Sequence, residues 1–256
     1  MEHRTAGQIG FVAGRWPLDP GKPTLIFIHG AGTSHLIWTS QVKALSARAN
    51  TVAVDLPGHN SSRFQGKDSI AGYAGTILDF IERARIPHPV PCGLSMGGAI
   101  TQHLLINNDS VFPAGILINT GARLKVLPMI FETIKKDYDK YVELTGAFAI
   151  SKKNDSEALR AKVRASLQCT PEVVLGDFCA CDAFDVMGQL GTISLPVLVL
   201  TASDDLLTPP KYGTFLSEGI RGAQRVNIED AGHLSPIEKP LEVNAAIQAF
   251  LARLVL

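Results

Sequence analysis

Short runs of aliphatic and β-branched residues, each bounded by turn residues, constrain this chain most strongly: Thr24 to Ile28, Thr51 to Val54, Ala114 to Ile118 and Leu195 to Leu200. Most are apolar at successive rather than alternate positions. Both faces of such strands have to be covered, which suits the interior of a parallel sheet layered between helices. Helix-length segments lie between them, at Leu36 to Arg48, Ile70 to Ala84, Met96 to Asn107 and Pro240 to Leu254. This alternation predicts one α/β sheet, mostly parallel, with right-handed crossovers. A weaker run at Gln8 to Val12 predicts additional strand at the sheet edge.

After Asn119 the alternation stops, and Leu124 to Leu190 reads as several helices with a charged stretch at Ser151 to Glu157. The expected organisation is a core of residues 1–122 and 191–256, with a helical cap of residues 123–190 roofing a pocket. Met129, Ile130, Phe131 and Ile134 have helical spacing and are expected to pack the cap onto the core. Arg123, near the expected cap hinge, is read as a solvated or structural arginine rather than a substrate contact.

Composition narrows the class of partner. With 46% hydrophobic and 19% charged residues, the chain suits a packed core and not a disordered or fibrous protein. Lysine plus arginine and aspartate plus glutamate balance at 24 each, so no net field favours nucleic acid or an anionic membrane. The opening Met1 to Gly7 has no apolar signal core, and no run approaches the ~18 apolar residues of a membrane span. A cytoplasmic protein, monomer or homodimer, acting on a small molecule is expected. Cys92 reads as a buried small hydrophobe. Cys179 and Cys181 flank a single residue, unlike paired zinc ligands, so packing is expected of them and neither metal nor organic cofactor is predicted.

The chemistry centres on Gly93-Leu94-Ser95-Met96-Gly97-Gly98. The strand-like Val90 to Cys92 precedes it and a helix-compatible segment follows. Glycines two residues either side of the serine let neighbouring backbone approach a tight turn, which exposes Ser95 Oγ at a helix N-terminus where N–H groups favour a developing oxyanion. A serine hydroxyl needs a base, and the base needs a group that fixes its tautomer. Only His103 and His233 follow Ser95. His103 lies roughly 12 Å along the same helix, so His233, in the turn after Arg225 to Ile228, is the candidate base. Asp204 and Asp205, adjacent at the end of the strand beginning at Val197, are both candidate carboxylates, while Asp230 is so close to His233 that a turn bond is expected of it.

Taken in order, His29-Gly30-Ala31-Gly32, Asp55-Leu56-Pro57-Gly58-His59, Gly93 to Gly98, Asp205 to Pro209 and Gly232-His233 followed by Glu238-Lys239-Pro240 resemble the α/β-hydrolase superfamily, over nearly the whole chain. The likeness is to capped members such as carboxylesterases, enol-lactonases and carbon–carbon bond hydrolases. It implies a triad of Ser95, Asp205 and His233, with Asp205 preferred because its spacing to Pro209 is similar to the family's acid loop. It also implies oxyanion donors at the backbone N–H groups of Ala31 and Met96, with Gly32 an alternative to Ala31. Asn60 stands where the family usually has glycine. The expected function is serine hydrolysis of a carboxylic ester or related acyl bond, as in a carboxylesterase. The alternatives are a lactonase or carbon–carbon hydrolase using the same triad, or a ligand-binding, receptor-like protein on this fold.

Overall fold

The computed structural model describes residues 3–62 and 64–254. Its eight strands form one sheet in the order β1 (His3–Ala6), β2 (Ile9–Ala13), β4 (Asn50–Asp55), β3 (Thr24–Ile28), β5 (Pro89–Leu94), β6 (Gly115–Ile118), β7 (Val197–Ala202) and β8 (Gln224–Ile228). β1 to β2 and β2 to β4 are antiparallel, and all later pairings are parallel. The weak N-terminal run forms β2, and β1, not foreseen, pairs with it as the edge strand of a hairpin. Residues 1–2 and 255–256, assigned to the core from sequence, lie outside the described residues.

Successive strand residues bury on opposite faces. Ile26, Ile28, Val52, Val54, Leu117, Val197 and Val199 enter one apolar cluster, with α2 (Ile70–Arg83), α3 (Met96–Asn107) and α8 (Pro210–Gly219). Leu25, Phe27, Ala53, Ile116, Ile118, Leu198 and Leu200 enter the other, with α1 (Thr39–Leu45) and α10 (Pro240–Leu251). Runs apolar at every position are thus explained by a sheet covered on both sides. The first helix is shorter than expected, because His35–Trp38 winds as a 3-10 turn. Both the backbone N–H and the imidazole of His35 are tied to Asp55, at 2.8 and 2.9 Å, which fixes that first turn.

Between β6 and β7 the chain inserts α4 (Pro128–Lys136), α5 (Tyr138–Phe148), α6 (Glu157–Ser166) and α7 (Pro171–Ala183). Ser156 caps α6 by accepting from the Leu159 N–H, so the charged stretch is a helix start. The packing of α4 differs from expectation. Met129 is exposed, and Ile134 buries against Tyr141 and Val174 in a small cluster within the insertion itself. Ala180, Cys181, Phe184, Val186 and Leu190 return to the main core, while Cys179 is exposed. Arg123 pairs with Asp185 at 3.8 Å, both half exposed, so it serves the hinge of the insertion as a surface ion pair. α9 (Ser235–Glu238) closes the turn before α10. No helix of the described residues is long and apolar enough to cross a membrane.

Two glycine substitutions test this packing in opposite directions. A Cβ at Gly93 would stand 1.9 Å from the Gly97 carbonyl oxygen, whereas at exposed Gly75 in α2 it would meet nothing within 4 Å. Denaturant unfolding is expected to show Gly93→Ala losing ~3 kcal/mol or failing to fold. Gly75→Ala is expected to gain about 0.5–1 kcal/mol from helix propensity. Equal effects at the two positions would contradict the packing.

Candidate active site

Ser95 sits between β5 and α3 with φ 54° and ψ −115°, a conformation that non-glycine residues rarely adopt. The neighbouring glycines make the turn sterically possible. At Gly97 a Cβ would stand 2.2 Å from the Ile28 carbonyl oxygen, and at Gly98 2.6 Å from the Thr120 side chain. The Ser95 backbone is pinned on both sides: its N–H donates to the Ile118 carbonyl at 3.0 Å, and its carbonyl accepts from Thr120 Oγ1 at 2.8 Å.

His233 Nδ1 lies 2.9 Å from Asp205 Oδ2, and both side chains are buried. Asp205 also accepts from the Leu207 and Thr208 N–H groups at 2.8 and 2.9 Å and from Thr208 Oγ1 at 2.9 Å, an Asx turn that fixes the carboxylate plane. Burial raises the Asp205 pKa, but the charge and hydrogen bond of His233, with the Thr208 bonds, outweigh it and the net shift is downward. An ionised carboxylate at Nδ1 requires the proton there, which leaves Nε2 as the basic nitrogen. Among the described residues no hydrogen bond joins His233 Nε2 to Ser95 Oγ. Such bonds are often long in unliganded sites and tighten when substrate binds.

Asp204 points to a different task. It accepts from Ser151 Oγ at 2.6 Å and lies 3.4 Å from Lys153 Nζ, so it ties the acid loop to the insertion. Asp230, at φ 52°, pairs with the same lysine and takes no part in fixing His233. His103 is half-buried on α3, where burial lowers its pKa.

The loop after β3 packs directly on the serine, since a Cβ at Gly30 would stand 3.3 Å from Ser95 Cβ. Its amides divide into two kinds. Gly32 N–H donates to Asp177 Oδ2 at 2.8 Å, so it is already engaged. Ala31 and Met96 N–H have no acceptor among the described residues. Gly32, the alternative donor offered by the sequence, has its N–H committed to Asp177.

The profile of the alpha/beta hydrolase family matches residues 25–246. The chain belongs to that family. It is 26% identical over 248 residues to 3-oxoadipate enol-lactonase 2 of Acinetobacter baylyi, covering 91% of this chain and 90% of the relative. Among solved structures it is similar to a thermophilic esterase, at 30% identity and TM-score 0.81, with 96% of this chain and 94% of that one covered. The enol-lactonase from Burkholderia xenovorans shares the fold at TM-score 0.87 and 23% identity, covering 98% of this chain and 100% of that one.

Several residues of this hydrolase that hold the site were not foreseen. Asn119, at φ 43°, donates from Nδ2 to the His233 carbonyl at 2.8 Å, one residue before the Thr120 that holds Ser95. Glu238 accepts from the N–H groups of Gly232 and Ser151 and from Asn154 Nδ2, joining the histidine turn to the insertion. Gly232 is required there, because a Cβ would stand 2.5 Å from the Ser151 nitrogen. For Thr208 the available signal is that an aspartate commonly bonds the backbone two residues on, which suggests the turn but not the threonine hydroxyl.

Two histidines behind the loop after β3 have pKa values pushed in opposite directions. His29 accepts from the Leu56 N–H at Nε2, 3.0 Å, so Nδ1 is the protonated nitrogen and faces the Gly30 carbonyl at 2.9 Å. Burial first, and then the charge of neighbouring His59, push the His29 pKa down to about 4. Burial opposes the charge of His59, but the Asp177 carboxylate 2.9 Å from Nε2 outweighs it and raises the pKa well above the ordinary value. Between pH 6.5 and 4 an unfolded His29 binds a proton that the folded one refuses, so stability falls on acidification, by up to about 3 kcal/mol. The contribution of His59 is fully present below pH 6.5 and is lost only as pH rises through its raised pKa. Thermal unfolding is expected to show Tm falling steadily from pH 6.5 to 4.5, and a flat Tm there would contradict a neutral His29.

Proposed function

We propose that this hydrolase cleaves a carboxylic ester, or the cyclic ester of a lactone, in a small molecule through Ser95, His233 and Asp205. The observation that carries this reading is the buried Asp205–His233 pair, its Nε2 left basic, on the same sheet edge as a serine at positive φ between strand and helix. The enol-lactonase and esterase likenesses support the same bond class. Leu206 and Leu207 on the acid loop, and Phe148 at the end of α5 before the segment that meets the histidine turn, expose apolar surface.

Ser95 Oγ attacks the carbonyl carbon while His233 Nε2 takes its proton. The tetrahedral oxyanion is stabilised by the Ala31 and Met96 amides, each typically worth ~3 kcal/mol in a water-excluded site. His233 returns the proton to the leaving alkoxide, giving an acyl-enzyme. It then takes a proton from water as that water attacks the ester carbonyl, and returns it to Ser95 Oγ as the intermediate collapses, releasing the acid and the free serine. Asp205 stays ionised throughout and orients the imidazole.

Kinetics on p-nitrophenyl butyrate test these roles. Ser95→Ala is expected to lower kcat/KM by about 10⁴-fold or more, and Asp205→Asn by about 10²–10⁴-fold. Asp204→Asn is expected to stay within about threefold, because that carboxylate serves the insertion. Turnover retained by Ser95→Ala, or equal losses at positions 204 and 205, would overturn the assignment. Stoichiometric labelling of Ser95 without multiple turnover would favour the ligand-binding alternative.

A further inference from the structure

Gly32 is held by the helical insertion at both of its backbone polar groups. Its N–H donates to Asp177 Oδ2 on α7 at 2.8 Å, and its carbonyl accepts from Cys169 Sγ at 3.2 Å. Gly32 has φ 69°, and a Cβ there would stand 3.2 Å from the Tyr141 hydroxyl, so the insertion closes tightly over it. Asp177 itself is fully buried. It accepts two further bonds, from His59 Nε2 at 2.9 Å and from the Tyr73 hydroxyl at 2.5 Å. One carboxylate on α7 therefore gathers the loop after β3, the loop after β4 and helix α2. His59 Nδ1 faces the Pro57 carbonyl at 3.2 Å, so both of its ring nitrogens point to acceptors, as an imidazolium requires.

We infer that Asp177 is a positioning residue for the oxyanion hole: by engaging the Gly32 amide it fixes the loop so that the preceding Ala31 amide stays free for the substrate oxyanion. This rests on the proposed serine hydrolysis and adds a residue that touches neither substrate nor triad. A buried carboxylate opposite an imidazolium is a costly way to hold two elements together, because both ions must be desolvated. An apolar contact would be cheaper, but it would not set the direction of a peptide plane. The bond to the Gly32 N–H does, and a single residue separates that amide from the oxyanion donor. The device also makes the oxyanion hole depend on the insertion being seated.

The test compares Asp177→Ala and Asp177→Asn with Val163→Ala, a buried position on α6 outside this network. On p-nitrophenyl butyrate, Asp177→Ala is expected to lower kcat about 100-fold with KM within threefold, as when an oxyanion donor is lost. Asp177→Asn, which can still accept from Gly32, is expected to lose about tenfold. Val163→Ala is expected to lower Tm and leave kcat unchanged. An arylboronic acid, whose adduct with Ser95 is tetrahedral, should lose affinity in step with kcat. Unchanged kcat in folded Asp177→Asn and Asp177→Ala, or a loss confined to KM, would overturn the inference while leaving the Ser95 assignment intact. A wild type without turnover would instead fail the hydrolase reading. The inference is then read from the ¹⁵N–¹H resonances of Ala31 and Gly32, which Asp177→Asn must shift, and unchanged resonances would overturn it.

Discussion

A non-glycine residue held at φ 54° and ψ −115° costs about 1–3 kcal/mol, and Ser95 keeps that geometry because its surroundings leave no other. Gly93 and Gly97 bring two turns of backbone closer than any side chain allows. Ile118 and Thr120 then hold the Ser95 amide and carbonyl from the next strand. The consequences spread from that point. Gly30 packs on the serine from one side, and Asn119, next to Thr120, holds the backbone of His233 from the other. Ser95, His233 and the loop after β3 are thus referenced to the ends of β3, β5 and β6 rather than to flexible connections.

Charge is used sparingly around this edge. Asp55 gathers His35, Asn60 and Ser61, and despite the upward push of burial these bonds, led by that of His35, hold its pKa at about 2. Asp177 gathers His59, Tyr73 and Gly32, and Asp205 gathers His233 and Thr208. Each buried carboxylate has a histidine and at least two further donors, the condition under which desolvating an ion is tolerable. Each also joins segments far apart in sequence. The helical insertion is attached at both ends of the site, through buried Asp177 at the loop after β3 and through the partly exposed Glu238 and Asp204 at the loops of His233 and Asp205.

Much of the architecture was legible because it follows from local rules. Strands apolar on both faces predicted a doubly covered sheet, and the Gly-x-Ser-x-Gly turn predicted a helix starting at Met96, where α3 begins. Asn60, which stands where the family usually has glycine, adopts φ 37°, a region that asparagine tolerates better than most residues. The structure pairs His233 with Asp205 and gives Asp204 another partner, a distinction that sequence could draw only by resemblance. Contacts made by the insertion were invisible. Asp177 is one acid among apolar neighbours on a helix, and nothing near it in sequence signals partners at Gly32 or His59. Met129 and Ile134 illustrate the same limit, since helical spacing marks an apolar face but not the surface it meets.

Site-resolved mass spectrometry after treatment with a fluorophosphonate bears most directly on the role given to Ser95. A hydroxyl activated by His233 and facing two free amides is predicted to give one adduct per chain on the peptide containing Ser95, and none in Asp205→Asn over the same interval. No adduct, or an adduct on another residue with Ser95 unmodified, would contradict the account.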